Sequence, residues 1–365
     1  MKLFVFNPEH DMALASNLLH FTPPRAACLI RRNMDFLPSL WAEPEDIILV
    51  EDNTIAEARA QQLNINYNGK FFTRDMLQQQ LLSGLVLDAV CPWGWDLNIR
   101  NDMLQYGIES DLLPDSSSLD AIRKTSHRRW ASENLLSPLR NINGTTGVSC
   151  AASTVDEVQQ LLSLHGSVVL KAPWSGSGRG IRYVGKRCNV SRKRYDSLTS
   201  HLKGWIKNVI KEQACVMVEP WYDKAVDLGM EFYAYGNGSV KYSGLSLFHA
   251  TDGVYDGNIL GSEDSLEARL CRFVGADLLH EVAREAVALL SSRLHKSYQG
   301  PLGIDMMIVR DESKWLLHPC VELNLRATMG HVALALSRNK SMEGKLMHIT
   351  AAPDYCLRIS SASQP

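Results

Sequence analysis

Short apolar runs alternating with helix-periodic polar stretches occupy the first third of the chain. Residues 3–6, 47–50 and 86–90 read as buried strands, and residues 53–63 and 74–82 as helices between them. Strands alternating with helices predict a small α/β layer with parallel pairing. The polar stretch Pro114-Asp115-Ser116-Ser117-Ser118 is the best linker. Beyond it the pattern changes. A basic helix is expected over 119–134 and a helix with an acidic start over 154–165. Strands follow at 168–171 and 214–218. Residues 228–235 and 239–247 read as a strand pair joined by Gly236-Asn237-Gly238, a tight-hairpin signal. A long helix is expected over 267–294, then strands at 303–309 and 315–322 linked by 310–314. The segments group as 1–115, 116–219 and 220–350, with 351–365 as a peripheral tail.

Composition narrows the class. The chain has 365 residues, 45% apolar and 21% charged, with a formal net charge of -2. That length accommodates two or three domains. The charge balance gives no support for a nucleic-acid or membrane-surface partner. No stretch approaches the run of about 20 apolar residues that a membrane helix needs. Four apolar residues precede Asn7 after the initial Met-Lys, too few for a secretory core. The eight cysteines are scattered, with no Cys-x-x-Cys pair, and read as free thiols of a cytoplasmic protein. Oligomeric state is not legible, a homodimer being an unsurprising outcome.

The chemistry concentrates in two places. The apolar strand ending at Lys171 runs into a loop carrying Ser175, Gly176, Ser177, Gly178 and Gly180. Glycines at alternate positions let successive backbone N–H groups converge on phosphate oxygens. The loop lacks the Gly-Lys-Ser/Thr of a Walker A motif, the third glycine of a dinucleotide fingerprint and the companion motifs of a protein kinase. A glycine-rich hairpin with no ligand is the alternative. Downstream, Glu322, Asn324 and Arg326 alternate, so an extended chain presents a carboxylate, an amide and a guanidinium on one face. Asp305 lies on the preceding strand of the same pair, where antiparallel pairing brings it beside Glu322. Two acids and an asparagine suit magnesium with phosphate, and Arg326 suits the transferring group. An exposed polar strand face laced with salt bridges is the alternative.

On these motifs the chain resembles the ATP-grasp enzymes, the superfamily of carboxylate–amine and carboxylate–thiol ligases. A lysine strand with a glycine loop, an apolar-Glu hinge (Val216-Met217-Val218-Glu219) and a closing Glu-x-Asn-x-Arg occur in that family's order, over about residues 119–335. The resemblance implies an ATP-grasp fold of α/β class, with a pre-ATP-grasp α/β domain at the N-terminus and ATP held between two antiparallel sheets. It implies ATP and two magnesium ions as cofactors. It also implies an acyl-phosphate formed on a small-molecule or peptide carboxylate and attacked by an amine or another nucleophile. Carried over by position, Lys171 contacts the α-phosphate and adenine, and Lys124 is the earlier lysine, with Arg123 in competition. The loop 175–180 covers the β- and γ-phosphates. Glu219 accepts from the adenine amino group, and the Trp221 and Tyr222 backbone reads the ring edge. Asp227 stands where the family usually has a ribose-binding Glu. Asp305, Glu322 and Asn324 match the metal ligands, and Arg326 the arginine that steadies the acyl-phosphate and tetrahedral intermediate. A small-molecule kinase and a non-catalytic ATP-binding protein are the competing functions.

Further polar residues are candidates for substrate. Asn7, Glu9, His10 and Asp11 follow the first strand, where ligands of open α/β layers bind; a capped turn accounts for them equally well. His249, Tyr255 and Asn258 lie on a polar loop suited to a second lid or to plain surface. His331 follows the Arg326 motif and reads either as a substrate contact or as an idle helix-start residue.

Overall fold

A computed structural model describes residues 1–64, 66–176, 178, 180–185, 194–251, 254–350 and 355–361. Its first sheet comprises β1 (Lys2–Val5), β2 (Ile47–Leu49), β3 (Lys70–Phe72) and β4 (Ala89–Pro92), in the order β3-β2-β1-β4. All three pairings are parallel. The fourth strand begins at Ala89 rather than at residue 86, since Val86 is exposed while Val90 is buried. Helices cover both faces of the sheet, as a parallel layer requires. On one face Leu3, Val5, Ile47, Leu77, Val90 and Met103 form a core.

The second sheet holds β5 (Cys150–Ala152), β6 (Ser167–Lys171), β7 (Ile181–Gly185), β8 (Arg194–Tyr195) and β9 (Val216–Pro220), in the order β5-β9-β6-β7-β8. Its pairings are antiparallel except at the β7–β8 edge. Two helices, Val155–His165 and Ser200–Gln213, cover one face through Val158, Leu162, Leu202 and Ile206.

The third and largest sheet comprises β10 (Asp223–Tyr235), β11 (Val240–Thr251), β12 (Val254–Ile259), β13 (Gln299–Asp311), β14 (Lys314–Asn324), β15 (Lys345–Ile349) and β16 (Leu357–Ser361). The order is β14-β13-β10-β11-β12-β15-β16, with antiparallel neighbours throughout. Residues 357–361, expected to be peripheral, instead add the last strand, and Leu357 is buried.

Two expected helices are broken. Residues 267–294 divide into Glu263–Leu270 and Ala276–Leu294, with extended Gly275 as the second N-cap. Residues 119–134 divide into Ser116–Thr125 and Arg128–Ala131, because His127 turns extended and its Nδ1 accepts the Arg129 N–H. The stretch after this break packs Ala131, Leu135, Leu136 and Leu139 against the largest sheet. Residues 131–147 therefore adhere to the C-terminal sheet, although they lie before β5 in the chain.

The parallel layer is fused to the rest through a shared core. Phe6, Met34, Phe36 and Trp93 cluster with Val332, Ala333 and Leu336 of helix Met329–Ser337 and with Leu260, Met347 and Leu357. The Trp93 carbonyl accepts the Ala327 N–H at 2.8 Å, so the segment just after Arg326 is pinned to the carboxyl end of β4. Among the described residues no helix is long and apolar enough to cross a membrane.

Candidate active site

Pairing of β13 with β14 sets Asp305 opposite Glu322 and Gly303 opposite Asn324. Pairing of β10 with β13 sets Gly229 opposite Asp305 and Glu231 opposite Gly303. One face of the largest sheet thus carries Glu231, Asp305, Glu322 and Asn324 side by side. Burial, then the neighbouring charges of Glu322 and Glu231, push the Asp305 carboxyl well above its ordinary value. A hard cation would relieve that crowding, and two carboxylates with an amide oxygen are suitable donors. Among the described residues no group of three or more His, Cys, Asp or Glu side chains is arranged to hold a metal. The fit therefore rests on this pair plus Asn324.

The glycine loop hangs over that face. It leaves β6 at Lys171 and returns at Ile181, with the Ala172 N–H donating to the Gly180 carbonyl at 2.9 Å. Ser177 lies outside the described residues. Gly178 adopts a positive φ of 67°. Gly176 passes so close to Asp11 that a Cβ there would overlap the carboxylate.

A cation that the sequence did not single out ties loop to sheet. Arg128 is 7% exposed. Its Nη1 donates to the Ala172 carbonyl at 2.6 Å and to Ser175 Oγ at 2.8 Å, and its Nη2 to the Ser175 carbonyl at 2.8 Å and to Glu322 Oε1 at 2.6 Å. Arg128 is directed inward by the break at His127. On one continuous helix over 119–134 its direction could not be read. Lys124, matched by position to the family's earlier lysine, is exposed near the end of its helix. Arg123 lies 3.8 Å above the Trp174 ring and donates to the Leu14 carbonyl, both residues of the cleft wall.

Lys171 and Glu219 form a buried ion pair at 2.6 Å, with side chains 8% and 5% exposed. Ser149 Oγ donates to the other Glu219 oxygen at 3.1 Å. The Trp221 N–H, expected to read a ring edge, is already given to the Ser167 carbonyl at 2.9 Å. The Tyr222 hydroxyl accepts the Val148 N–H at 2.9 Å, and burial pushes its phenol up to about 12. Beside Tyr222, with ring centroids 5.4 Å apart, lies fully buried His318. Neither of its nitrogens has a hydrogen-bond partner among the described residues, and burial lowers its pKa to about 4. Asp227 is paired with Lys224 at the outer end of β10, its carboxyl raised by burial against that pairing.

The N-terminal segment divides in two. Asn7 and His10 are buried in a network: Asn7 Nδ2 donates to the Gly94 carbonyl at 2.8 Å, and His10 Nδ1 lies 3.0 Å from Asp96 Oδ2. Glu9 accepts from Arg31, and burial raises its carboxyl. These three hold the strand ends together; of the four, Asp11 bonds to Arg326, and His10 lines the same cleft beside it. Arg326 Nε and Nη2 each donate to Asp11 at 2.9 Å, one to each oxygen. Burial by itself would raise the Asp11 carboxyl, but the adjoining Arg326 guanidinium outweighs it and holds the group below its ordinary value. Asp11, Ser175, Trp174, Glu322 and Asn324 line one polar cleft.

The remaining candidates do not converge on that cleft. His249 is exposed, and the Tyr255 hydroxyl donates to Asn258 Oδ1 at 2.5 Å within β12. His331 caps its own helix: its Nδ1 accepts the Thr328 N–H at 3.2 Å and lies 3.1 Å from Glu231 Oε2. Thr328 Oγ1 donates to the same Glu231 oxygen at 2.8 Å and Ser246 Oγ to the other at 3.0 Å. Glu231, absent from the sequence expectations, thereby supports the turn that carries Arg326.

No family model matches the chain, and no curated protein sequence matches it. Solved structures do match its fold. A Campylobacter jejuni biotin carboxylase–βγ-ATP complex aligns with a TM-score of 0.50 at 12% identity, over 92% of this chain and 67% of that one. Rhizobium etli pyruvate carboxylase aligns with a TM-score of 0.51 at 13% identity, over 92% of this chain and 27% of that one. Staphylococcus aureus N5-carboxyaminoimidazole synthetase with ADP aligns at 0.49 and 9% identity, over 97% of this chain and 83% of that one. A parallel layer, a glycine-loop sheet and a large antiparallel sheet joined in this order give the chain the ATP-grasp fold.

Proposed function

We propose that this protein is an ATP-dependent ligase. It transfers the γ-phosphoryl group of ATP to a carboxylate and joins the resulting acyl-phosphate to an amine or another nucleophile, releasing ADP and phosphate. One observation carries this reading. Arg128 bridges the root of the glycine loop to Glu322, on the face that also holds Asp305 and Asn324, with the Arg326 guanidinium near enough to feel both carboxylates. Ser175 of the loop, Glu322 and Asn324 thus line one cleft together with Asp11, the partner of Arg326. A matching structure described as a nucleotide complex, the biotin carboxylase above, supports ATP as the ligand.

Each residue then has a physical task. Asp305, Glu322 and Asn324 would hold magnesium, which when bound screens the repulsion between a carboxylate and a polyphosphate. With Glu322 so occupied, Arg128 is released toward the phosphate oxygens under the loop. Lys171 sits at the strand end where the α-phosphate would pass. Glu219, two residues from Met217, the β9 partner of Lys171, holds it in place. Arg326 stabilises the oxyanion that develops at the acyl carbon, a contribution on the order of 3 kcal/mol in barrier height. Ser175 at the cleft, with Gly176 against Asp11, helps exclude the water that would hydrolyse the anhydride.

The test is ADP release measured against pooled carboxylates and pooled amines, each alone and together. A ligase releases ADP steadily only when both pools are present. Steady release with a single hydroxyl-bearing acceptor would instead identify a kinase on the same frame. No release under any combination, together with tight MgADP binding, would identify a non-catalytic nucleotide-binding protein.

A further inference from the structure

All but one of the N–H donors on the Arg128 guanidinium are taken. Nη1 serves the Ala172 carbonyl and Ser175 Oγ, and Nη2 serves the Ser175 carbonyl and Glu322 Oε1. The remaining donor, on Nε, is buried and has no partner among the described residues. A buried donor left unmet is unfavourable, and an incoming acceptor relieves it. The charge of Arg128 also reaches Asp11, behind that of Arg326. The bridge cannot outlast the arrival of a polyphosphate. The cleft that Ser175, Glu322 and Asn324 line has a volume of about 20 Å³, room for one water. Phosphates enter only when Ser175 and Glu322 separate, and one guanidinium cannot then hold both. Three bonds tie Arg128 to the loop root and one to Glu322, so Glu322 is the partner it gives up.

Each ligand by itself meets the wrong charge. Arg128 holds only Oε1 of Glu322, so a metal could still approach the other oxygen, but it would then share one carboxylate with a guanidinium. Like charges that close repel strongly in a part-buried site. A polyphosphate without metal faces Asp11, Asp305 and Glu322, the carboxylates gathered around Arg326. When the two arrive together the conflict resolves. Glu322 changes its guanidinium for the metal, and Arg128 changes its carboxylate for phosphate oxygens.

We propose that Arg128 is the residue by which this site selects the metal–polyphosphate complex over either component alone. With no ligand it neutralises Glu322. Toward a lone metal it is a repelling charge. Toward the complex it offers its Nε–H and the donor released from Glu322. This rests on the nucleotide and metal sites of the ligase reading, and it holds equally for a kinase on the same frame.

The test is binding rather than turnover. Affinity for Mn2+ alone is read from the loss of its free paramagnetic resonance signal. Affinities for ADP in EDTA and for MgADP are read by isothermal titration. Arg128→Gln should bind Mn2+ alone about 10-fold more tightly than the wild type, because a like charge has left Glu322, while its MgADP affinity falls. Arg128→Lys keeps the charge and should bind Mn2+ within about threefold of the wild type. An arginine that only supports the loop would weaken both ligands or neither, so any other pair of signs in Arg128→Gln overturns the proposal. An Arg128→Lys protein that binds Mn2+ as tightly as Arg128→Gln overturns it too. If Arg128→Gln shows no cooperative melt, Glu322→Gln decides. Freed of its carboxylate, Arg128 should raise the affinity for ADP in EDTA about 10-fold, and by more than Asp305→Asn does, which removes a carboxylate to which Arg128 does not donate. An equal or smaller rise in Glu322→Gln refutes the assignment. Wild-type protein that binds neither ADP nor MgADP overturns the nucleotide reading itself.

Discussion

Replacing Arg128 by Ala removes a side chain that, among the described residues, joins the glycine loop to the carboxylate face. Four hydrogen bonds are lost, at 2.6, 2.6, 2.8 and 2.8 Å, and one of them is an ion pair with Glu322. Hydrogen bonds to charged partners are worth about 1.5–3 kcal/mol, and breaking a buried pair costs about 3–5 kcal/mol. Glu322 is 26% exposed, so water recovers part of that loss. A destabilisation of about 3 kcal/mol follows from these terms. At about 2 cal/mol/K of unfolding entropy per residue, this lowers the melting temperature of a chain of this size by about 4 °C. The functional effect is larger. A guanidinium released onto nucleotide phosphates contributes about 2–3 kcal/mol, so MgADP affinity should fall by about 30- to 150-fold. Isothermal titration with MgADP reads the affinity, and a thermal melt reads the stability. Lys124→Ala is the internal control, because that side chain is exposed and its affinity should match the wild type. MgADP affinity in Arg128→Ala within about threefold of wild type, or a larger loss in Lys124→Ala, would refute the reasoning.

Gly330→Ala places a Cβ on the Glu231 carboxylate and near Ser246 Oγ, so it should lower stability by about 3 kcal/mol, read as a thermal shift of about 4 °C. An unchanged melt would mean that the Glu231 nest is not as tight as described. Glu219→Gln strips the counter-charge from buried Lys171 while retaining its volume; MgADP should recover less of the lost stability than it does in the wild type, and full recovery would separate the pair from nucleotide binding. His318 titrates at about 4 in the folded protein, below the usual 6.5 of an unfolded chain. A depressed folded value means that the unfolded chain takes up the proton first. The contribution of His318 is thus complete above 6.5 and is lost as pH falls toward 4. His318→Leu should remove an acid sensitivity on the order of 3 kcal/mol across that window, and parallel urea-denaturation profiles from pH 7 to 4 would contradict it.

How much could be read in advance depended on the range of each interaction. The face carrying Asp305, Glu322 and Asn324 was legible because a strand alternates side chains strictly and hairpin pairing is local. Lys171 with its glycine loop was legible because both belong to one short segment. Arg128 was not. Its direction depends on a helix break at His127 that follows from the cap that residue makes, and apolar periodicity carries no signal for it. The role of Glu231 was hidden for another reason. A glutamate in a strand reads as solvent-facing until two other segments supply Ser246, Thr328 and His331 to surround it.

Asp11 shows the boundary between the two kinds of information. Local pattern is enough to put it just after the first strand, among residues suited to ligand binding. Nothing local distinguishes it from Asn7, Glu9 or His10, which became structural once buried against Gly94, Arg31 and Asp96. Sequence alone determined the ATP-grasp resemblance, the chemistry of the cleft and the residue types available to it, since these follow from short-range periodicity and motif spacing. Tertiary structure alone decided which cation holds the loop and which carboxylate meets Arg326. Those pairings join residues 194 and 315 positions apart, and the packing of whole domains sets such contacts.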